Sequence, residues 1–165
     1  MIRLMTAMDS VHVQQIARKS WSNTYKGIIP EEIQKKFIDR SFSNAMMIKR
    51  MEKTTVLIAE CEGIPVGFAN FTKTDTDGDS ELTAMYILPS HQQIGYGEKL
   101  FEYTLSMLKG ARQLFIYVDG RNTFERSFYE KQGFKLLEVF NEYIEGYPVE
   151  TAQYVYYIHN PNLAG

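Results

Sequence analysis

Along the chain, apolar positions recur with two alternating periods, and these predict the order of elements. Ile2 to Met5 is a short apolar run that reads as a first strand. Thr6 to Asp9 then turns into a helix capped by Asp9 or Ser10, with Val13, Ile16, Ala17 and Trp21 on one face and Tyr25 following. Lys26-Gly27-Ile28-Ile29-Pro30 ends that helix, because the residue before proline is pushed out of the helical region and glycine supplies a stop. A second helix is expected from Pro30, with Glu31 and Glu32 in its first turn and Ile33 and Phe37 as its apolar side. A third follows Ser43 and carries Met46, Met47, Ile48 and Met51 inward as core filler.

Thr54 to Glu60 and Val66 to Thr72 are β-rich runs joined by Cys61-Glu62-Gly63-Ile64-Pro65, which predicts an antiparallel hairpin. The polar stretch Lys73 to Asp79 sets Asp75, Asp77 and Asp79 around Gly78. It lacks the closing glutamate of a calcium loop and reads as a solvated turn. Glu81 to Leu108 reads as a strand, a tight loop with Gly95 and Gly97, and a helix whose apolar side is Leu100, Phe101, Leu105 and Leu108. A strand from Leu114 to Val118 and a helix from Asn122 to Gln132 closed by Gly133 come next. Two long strands, Phe134 to Tyr143 and Thr151 to Ile158, precede a loose tail at Asn160 to Gly165. The tyrosine-rich Thr151 to Ile158 is expected at an exposed sheet edge, where it would pair two copies into a homodimer.

Composition adds limits. With 165 residues, 44% hydrophobic and 23% charged, the chain is expected to be one domain over residues 1–165, with a core that needs no staples. A net charge of -2 leaves no basic footprint for nucleic acid and does not repel a cationic substrate. A single cysteine, Cys61, excludes an intrachain disulfide. The absence of a signal-peptide pattern or a long apolar run points to a cytoplasmic chain with no membrane span. His12, His91 and His159 are scattered without ligand spacing, so no metal is expected.

The loop with Gly95 and Gly97 has the layout of an anion cradle: glycines let the backbone approach a ligand, and the amides of the following helix N-terminus point at the same spot. A dinucleotide fingerprint would need glycine at Leu100, and a Walker loop would need Gly-Lys-Ser/Thr where Gly97-Glu98-Lys99 stands, so both are rejected. Gln92-Gln93-Ile94-Gly95-Tyr96-Gly97 resembles the Q/R-x-x-G-x-G/A pyrophosphate loop of the GCN5-related N-acetyltransferases (GNAT). Phe128-Tyr129-Glu130-Lys131-Gln132-Gly133-Phe134 resembles the F-Y-x-x-x-G-F segment of the same family. The opening Ile2-Arg3-x-Met5-Thr6-x-x-Asp9 is similar to the usual start of such chains. Ser20-Trp21-x-x-Thr24-Tyr25-x-Gly27-Ile28-Ile29-Pro30 resembles a bacterial branch that includes spermidine/spermine acetyltransferases.

The resemblance implies an α/β (α+β) fold, a mixed and mostly antiparallel twisted sheet flanked by helices, with splayed central strands. It implies acetyl-CoA as cosubstrate, held by the backbone of Gln92, Gln93, Ile94, Gly95, Tyr96 and Gly97 at the pyrophosphate and by Met85, Tyr86 and Ile87 along the pantetheine arm. Asn122 and Tyr129 would also contact the cofactor. Tyr129 stands where the family places its general acid, and a phenol suits that role because its pKa lies close to that of the thiol it protonates. Glu81, eleven residues before Gln92, matches the base glutamate of the histone-acetylating members, with water as the other candidate base. The acceptor mouth would be formed by Trp21, Tyr25, Ile29, Glu32, Tyr143 and Tyr147. The acidic residues Glu31, Glu32, Asp75, Asp77, Asp79, Glu138, Glu142 and Glu145 would draw in a polycation, though most are expected to be solvated surface.

The expected activity is acetyl transfer to a primary amine of a small molecule, a polyamine among the candidates. The alternatives are a protein or peptide N-terminal acetyltransferase and a non-catalytic acyl-CoA sensor.

Overall fold

Strand β2 (Thr54–Cys61) is apolar at consecutive positions because both of its faces are covered. Val56 and Ile58 turn to one side, Leu57 and Ala59 to the other, and all four are buried. In the computed structural model, which describes residues 1–158, this strand lies within a seven-stranded sheet. The elements in chain order are β1 (Ile2–Leu4), α1 (Ser10–Tyr25), α2 (Glu31–Ser41), α3 (Asn44–Lys53), β2, β3 (Ile64–Thr72), β4 (Asp79–Ile87), α4 (Tyr96–Met107), β5 (Gln113–Asp119), α5 (Thr123–Gln132), β6 (Lys135–Ile144) and β7 (Tyr147–Tyr157). The strand order is β1-β2-β3-β4-β5-β7-β6, antiparallel except between β4 and β5, which is the mixed α/β architecture expected. Helices α1 to α3 cover one face, where Val13, Ile16, Ile38 and Met47 join Phe68 of the sheet. On the other face Leu100 and Phe101 of α4 and Tyr129 of α5 form one cluster with Phe134.

Several local expectations change. Asp9 holds the N-cap position of α1 but makes no side-chain capping bond: it also ends a short 3-10 turn, and its carboxylate accepts two hydrogen bonds from Arg3 at 2.7 and 2.8 Å and one from the Thr6 N–H at 2.8 Å. On α2 the buried residues are Gln34 and Ile38, while Ile33 and Phe37 are half-buried, because the helix packs on α1, with Phe37 stacked on Trp21, and turns one position further round than its apolar stripe suggests. Of the methionine cluster, Met47 is buried and Ile48 is 58% exposed; α3 touches the sheet along a narrow stripe and does not sink into it. The β2–β3 turn is tighter than expected, two residues with φ of 51° at Glu62 and 79° at Gly63, so the strands run up to Cys61 and Ile64. Asp75 explains its own cluster: Oδ1 accepts from the N–H groups of Asp77 and Asp79, each at 2.9 Å, an acidic turn that folds on itself.

The expected dimer edge is also corrected. Strand β7 is paired on both sides, to β5 and to β6, so it is no edge; β6 is, with Leu136, Leu137 and Val139 exposed along it. The parity was legible, but which strand ends the sheet was not. The expectations for His159 and for the tail at Asn160 to Gly165 lie outside the described residues.

Two features of the sheet fix the helices and open its centre. Asn70, fully buried in β3, donates to Thr54 Oγ1 at 2.7 Å and to the Thr55 carbonyl at 3.0 Å, and accepts from Arg50 Nη1 at 2.6 Å. Arg50 reaches on to the Ser41 carbonyl and lies over the Phe42 ring, which ties α3 and the end of α2 to the sheet. The second feature is in β4. Phe71 pairs with Leu82 but Asn70 pairs with Ala84, so Thr83 is an extra residue, a bulge whose hydroxyl donates to the Asn70 carbonyl at 3.0 Å. Parallel pairing of β4 to β5 covers Asp79, Ser80 and Glu81 and stops there, two residues before the bulge. Beyond it the two strands part.

Two outcomes are expected. Asn70→Ala leaves the half-buried Arg50 without its side-chain acceptor and lowers stability by about 2–3 kcal/mol, read by denaturant unfolding. Asp9→Asn is destabilising at neutral pH, and the difference shrinks in acid. Arg3 holds the Asp9 carboxyl down at about 2 against an ordinary 3.8, so its contribution is full above 3.8 and is lost as pH falls through about 2. Thermal melts of both proteins between pH 7 and pH 2 check this.

Candidate active site

Where β4 and β5 part, a cleft of about 890 Å³ opens, walled by α1 on one side, α4 and α5 on the other, and the β6–β7 hairpin below. Its main-chain chemistry comes from sheet register. The Leu88 N–H donates to the Val66 carbonyl at 2.8 Å and Tyr86 pairs with Phe68, so the even-numbered residues at the end of β4 spend their main-chain groups on β3. Met85 and Ile87 therefore turn theirs into the gap, with no strand to receive them. The Ile87 carbonyl is taken by Ser20 Oγ at 3.1 Å and Gln92 Nε2 at 3.1 Å, which leaves its N–H and both groups of Met85 for a ligand. Of the three β4 residues named from the sequence, Met85 and Ile87 thus offer backbone. Tyr86 instead offers its phenol, which accepts from Trp21 Nε1 at 2.9 Å.

The loop after β4 is held open by two different glycines. Gly95 is the N-cap of α4 with φ of 99°, and Gln93 also has a positive φ of 64°, so the loop curls and presents successive amides to one side. Gly97 is needed for room: a Cβ there would sit 3.1 Å from the Phe128 ring of α5. The N–H groups of Tyr96, Gly97 and Glu98 open α4 and have no intrahelical acceptor, so an anion is favoured in front of them. Gln92, Gln93, Gly95 and Gly97 line the cleft; the side chains of Ile94 and Tyr96 do not. The Gln92 side chain ties the loop to β4, so it shapes the cradle and leaves ligand contact to the main chain.

On α5, Tyr129 lines the cleft although only 4% of it is exposed, wedged between Phe128 and Phe134 at ring-centroid distances of 5.1 and 5.3 Å. Burial, and then the charge of Glu125, push its phenol well above the usual value, so it is protonated at neutral pH. Asn122 caps α5, its Oδ1 accepting from the Glu125 N–H at 3.0 Å.

Glu81 is half-buried, which raises its carboxyl, but it stands at the last position of β4 paired to β5, opposite Phe115, and is not among the residues lining the cleft. Its charge reaches the cleft through Tyr117, whose phenol is raised by burial and then by Glu81, Glu138 and Glu142.

At the acceptor end, Trp21 and Tyr25 line the cleft, with Trp21 stacked on Phe37 at 4.2 Å. Two expected contacts are corrected. Glu32, exposed in the first turn of α2, is outside the lining. Tyr143, 73% exposed, points away, because the period of two in β6 turns Glu142 and Ile144 inward instead. Ile29 is core, and Glu145 pairs with Arg40 at 3.2 Å.

The sequence reading missed Glu125. Asn122-x-x-Glu125 has the spacing of a helix cap, and nothing local says that the carboxylate faces a cleft. Also missed as cleft-lining residues were Asp119 at the end of β5, Arg121 just after it and Glu150 on β7.

This geometry agrees with what known proteins show. A spermidine N(1)-acetyltransferase of Thermoplasma acidophilum is 27% identical over 143 residues, covering 82% of this chain and 88% of the relative. An uncharacterized N-acetyltransferase of Mycobacterium tuberculosis is 30% identical over 113 residues, 66% of this chain and 71% of the relative. The crystal structure of the PaiA N-acetyltransferase of Thermoplasma acidophilum in complex with coenzyme A shares the fold, with a TM-score of 0.82 at 24% identity over 94% of this chain and 98% of that one. The acetyltransferase (GNAT) domain family matches residues 52–136, just over half of the chain, and that segment carries β4, the glycine loop and Tyr129. The chain belongs to the GNAT family of acetyl-CoA-dependent N-acetyltransferases.

Proposed function

We propose that residues 1–165 form one catalytic domain that transfers the acetyl group of acetyl-CoA to a primary amine of a small cationic molecule, a di- or polyamine. One observation carries the reading: a single cleft joins an anion cradle, an unpaired strand edge and a buried, protonated phenol. In this reading the pyrophosphate sits at the amides of Gln92 to Gly97. The pantetheine arm pairs with the free main chain of Met85 and Ile87, and the Met85 N–H meets the thioester oxygen as charge develops on it. Asn122 and Tyr129 border the arm from α5.

Tyr129 then gives its proton to the departing thiolate. Its raised pKa does not spoil the match, because a thiolate expelled into the same desolvated space is raised as well. The polyamine preference is supported by the acidic acceptor end, where Asp119, Glu142 and Glu150 line the cleft and Glu81 and Glu138 lie behind Tyr117. The spermidine-acetylating relative supports it too. Trp21 and Tyr25 form the aromatic wall against which an alkylammonium can lie.

Thiol release from acetyl-CoA across di- and polyamines, amino acids, aminoglycosides and short peptides is expected to give the highest kcat/KM with a di- or polyamine; a preference for peptides would overturn the acceptor class. Tyr129→Phe is expected to lower kcat about 10²–10⁴-fold with the KM for acetyl-CoA nearly unchanged. An unaltered kcat would remove Tyr129 from the proton path.

A further inference from the structure

We propose that Glu125 is the proton acceptor of this site, the carboxylate that deprotonates the acceptor ammonium before the amine attacks the thioester. The inference rests on the acetyl-transfer reading and assigns the step which that reading leaves open.

Glu125 lies in the first turn of α5, four residues before Tyr129, so both side chains occupy one face of the helix, and both line the cleft. A carboxylate at this spacing from Asn122 would ordinarily close a cap on the Asn122 N–H, yet that N–H donates to the Asp119 carbonyl at 3.0 Å. Glu125 Oε2 instead accepts from Asn122 Nδ2 at 3.1 Å, which fixes the carboxylate toward the cleft and leaves its other oxygen for a ligand.

Its neighbours leave it uncompensated. Tyr25 of α1, Tyr86 of β4 and Tyr129 of α5 all feel its charge, each phenol being raised by it. Asp119 at the end of β5 repels it, and Arg121, the nearby cation, is paired with Asp119 at 3.4 Å. Among the described residues no lysine or arginine forms a salt bridge with Glu125. Burial first, and Asp119 second, push its carboxyl up to about 7. A base with that pKa is largely ionised just above neutrality and far stronger than a solvated carboxylate, the compromise that proton abstraction at neutral pH requires. Three phenols and a carboxylate without a salt-bridged cation also make a place where an ammonium supplies the counter-charge.

The ammonium R–NH₃⁺ gives one proton to Glu125, and the freed lone pair forms the C–N bond while the carbonyl pair moves to oxygen. As the intermediate collapses, the C–S bond breaks with its electron pair on sulfur, and Tyr129 protonates the thiolate. The nitrogen, still carrying an excess proton, returns one to the Tyr129 phenolate, and Glu125 releases its proton to water. The net products are the amide, CoA–SH and one H⁺.

The test compares Glu125→Gln, Glu81→Gln and the unaltered enzyme. The unaltered enzyme is expected to show an acidic limb in kcat/KM with an apparent pKa of about 7. In Glu125→Gln this limb should be replaced by a rate that climbs with the free-amine fraction beyond about pH 9, with about a 100-fold loss at neutral pH and an unchanged KM for acetyl-CoA. Glu81→Gln should keep the limb.

A second readout does not depend on turnover. The Glu125 carboxyl is raised above its ordinary 4.5, so its contribution to stability is present below 4.5 and lost as pH rises through about 7. Glutamine does not titrate, so the melting temperature of Glu125→Gln minus that of the unaltered protein should be small near pH 5 and larger and positive near pH 8. Persistence of the limb in Glu125→Gln, its loss in Glu81→Gln, or a melting difference that is flat with pH would overturn the assignment alone. Absence of turnover by the unaltered enzyme with every amine would overturn the acetyl-transfer reading itself.

Discussion

The site depends on an interruption in one strand pairing. β4 and β5 are held together over three residues and then separate, and the separation arises from the extra residue Thr83 in β4. A bulge increases local twist and bends its strand, so beyond it β4 can stay paired to β3 only by leaving β5. The sheet thereby carries, at its centre, the unpaired edge that proteins otherwise keep to the periphery. Here the edge is kept short, and the groups it exposes are those of Met85 and Ile87, one of them already satisfied by Ser20 and Gln92. The opening suits an extended ligand with amides of its own.

Rigidity around the opening comes from burial on both faces. Because β2 and β3 are covered by helices on each side, their positions are fixed independently of whatever enters the cleft. The polar contacts under the helices work in the same direction. Asn70 and Arg50 tie α3 to the sheet, while Trp21, bound to Tyr86 and stacked on Phe37, fixes the end of α1 that forms the acceptor wall. Such buried, fully partnered contacts contribute modestly to stability when intact and are expensive to break, so they specify one arrangement.

The electrostatics of the cleft divide along its length. At one end the amides of the α4 N-terminus and the curled loop offer positive potential; at the other Asp119, Glu125, Glu142 and Glu150 offer negative. In the proposed reaction, a cosubstrate bearing phosphates and an acceptor bearing ammonium groups would be sorted to opposite ends before they react. In that reading the reacting atoms meet between the two ends, beside Tyr129, whose phenol burial keeps protonated.

The elements and the cradle were legible in the sequence because both are local. Apolar periodicity places the helices and strands within a few residues, and Gln92 to Gly97 with Phe128 to Phe134 mark the family. Three things belong to the folded chain, and no local pattern encodes them. The bulge at Thr83 arises from register with β3, β7 became an inner strand because β6 closes the sheet, and strand parity turned Tyr143 outward and Glu142 inward. Glu125 shows the reason most directly. As a residue of a helix cap it is ordinary, and it acquires a different chemistry only in the fold, where the end of β5 brings Asp119 to repel its charge and where it faces Tyr25 of α1 and Tyr86 of β4, two distant parts of the chain. The energy of a charge depends on what surrounds it in space, and spacing along the chain does not carry that information.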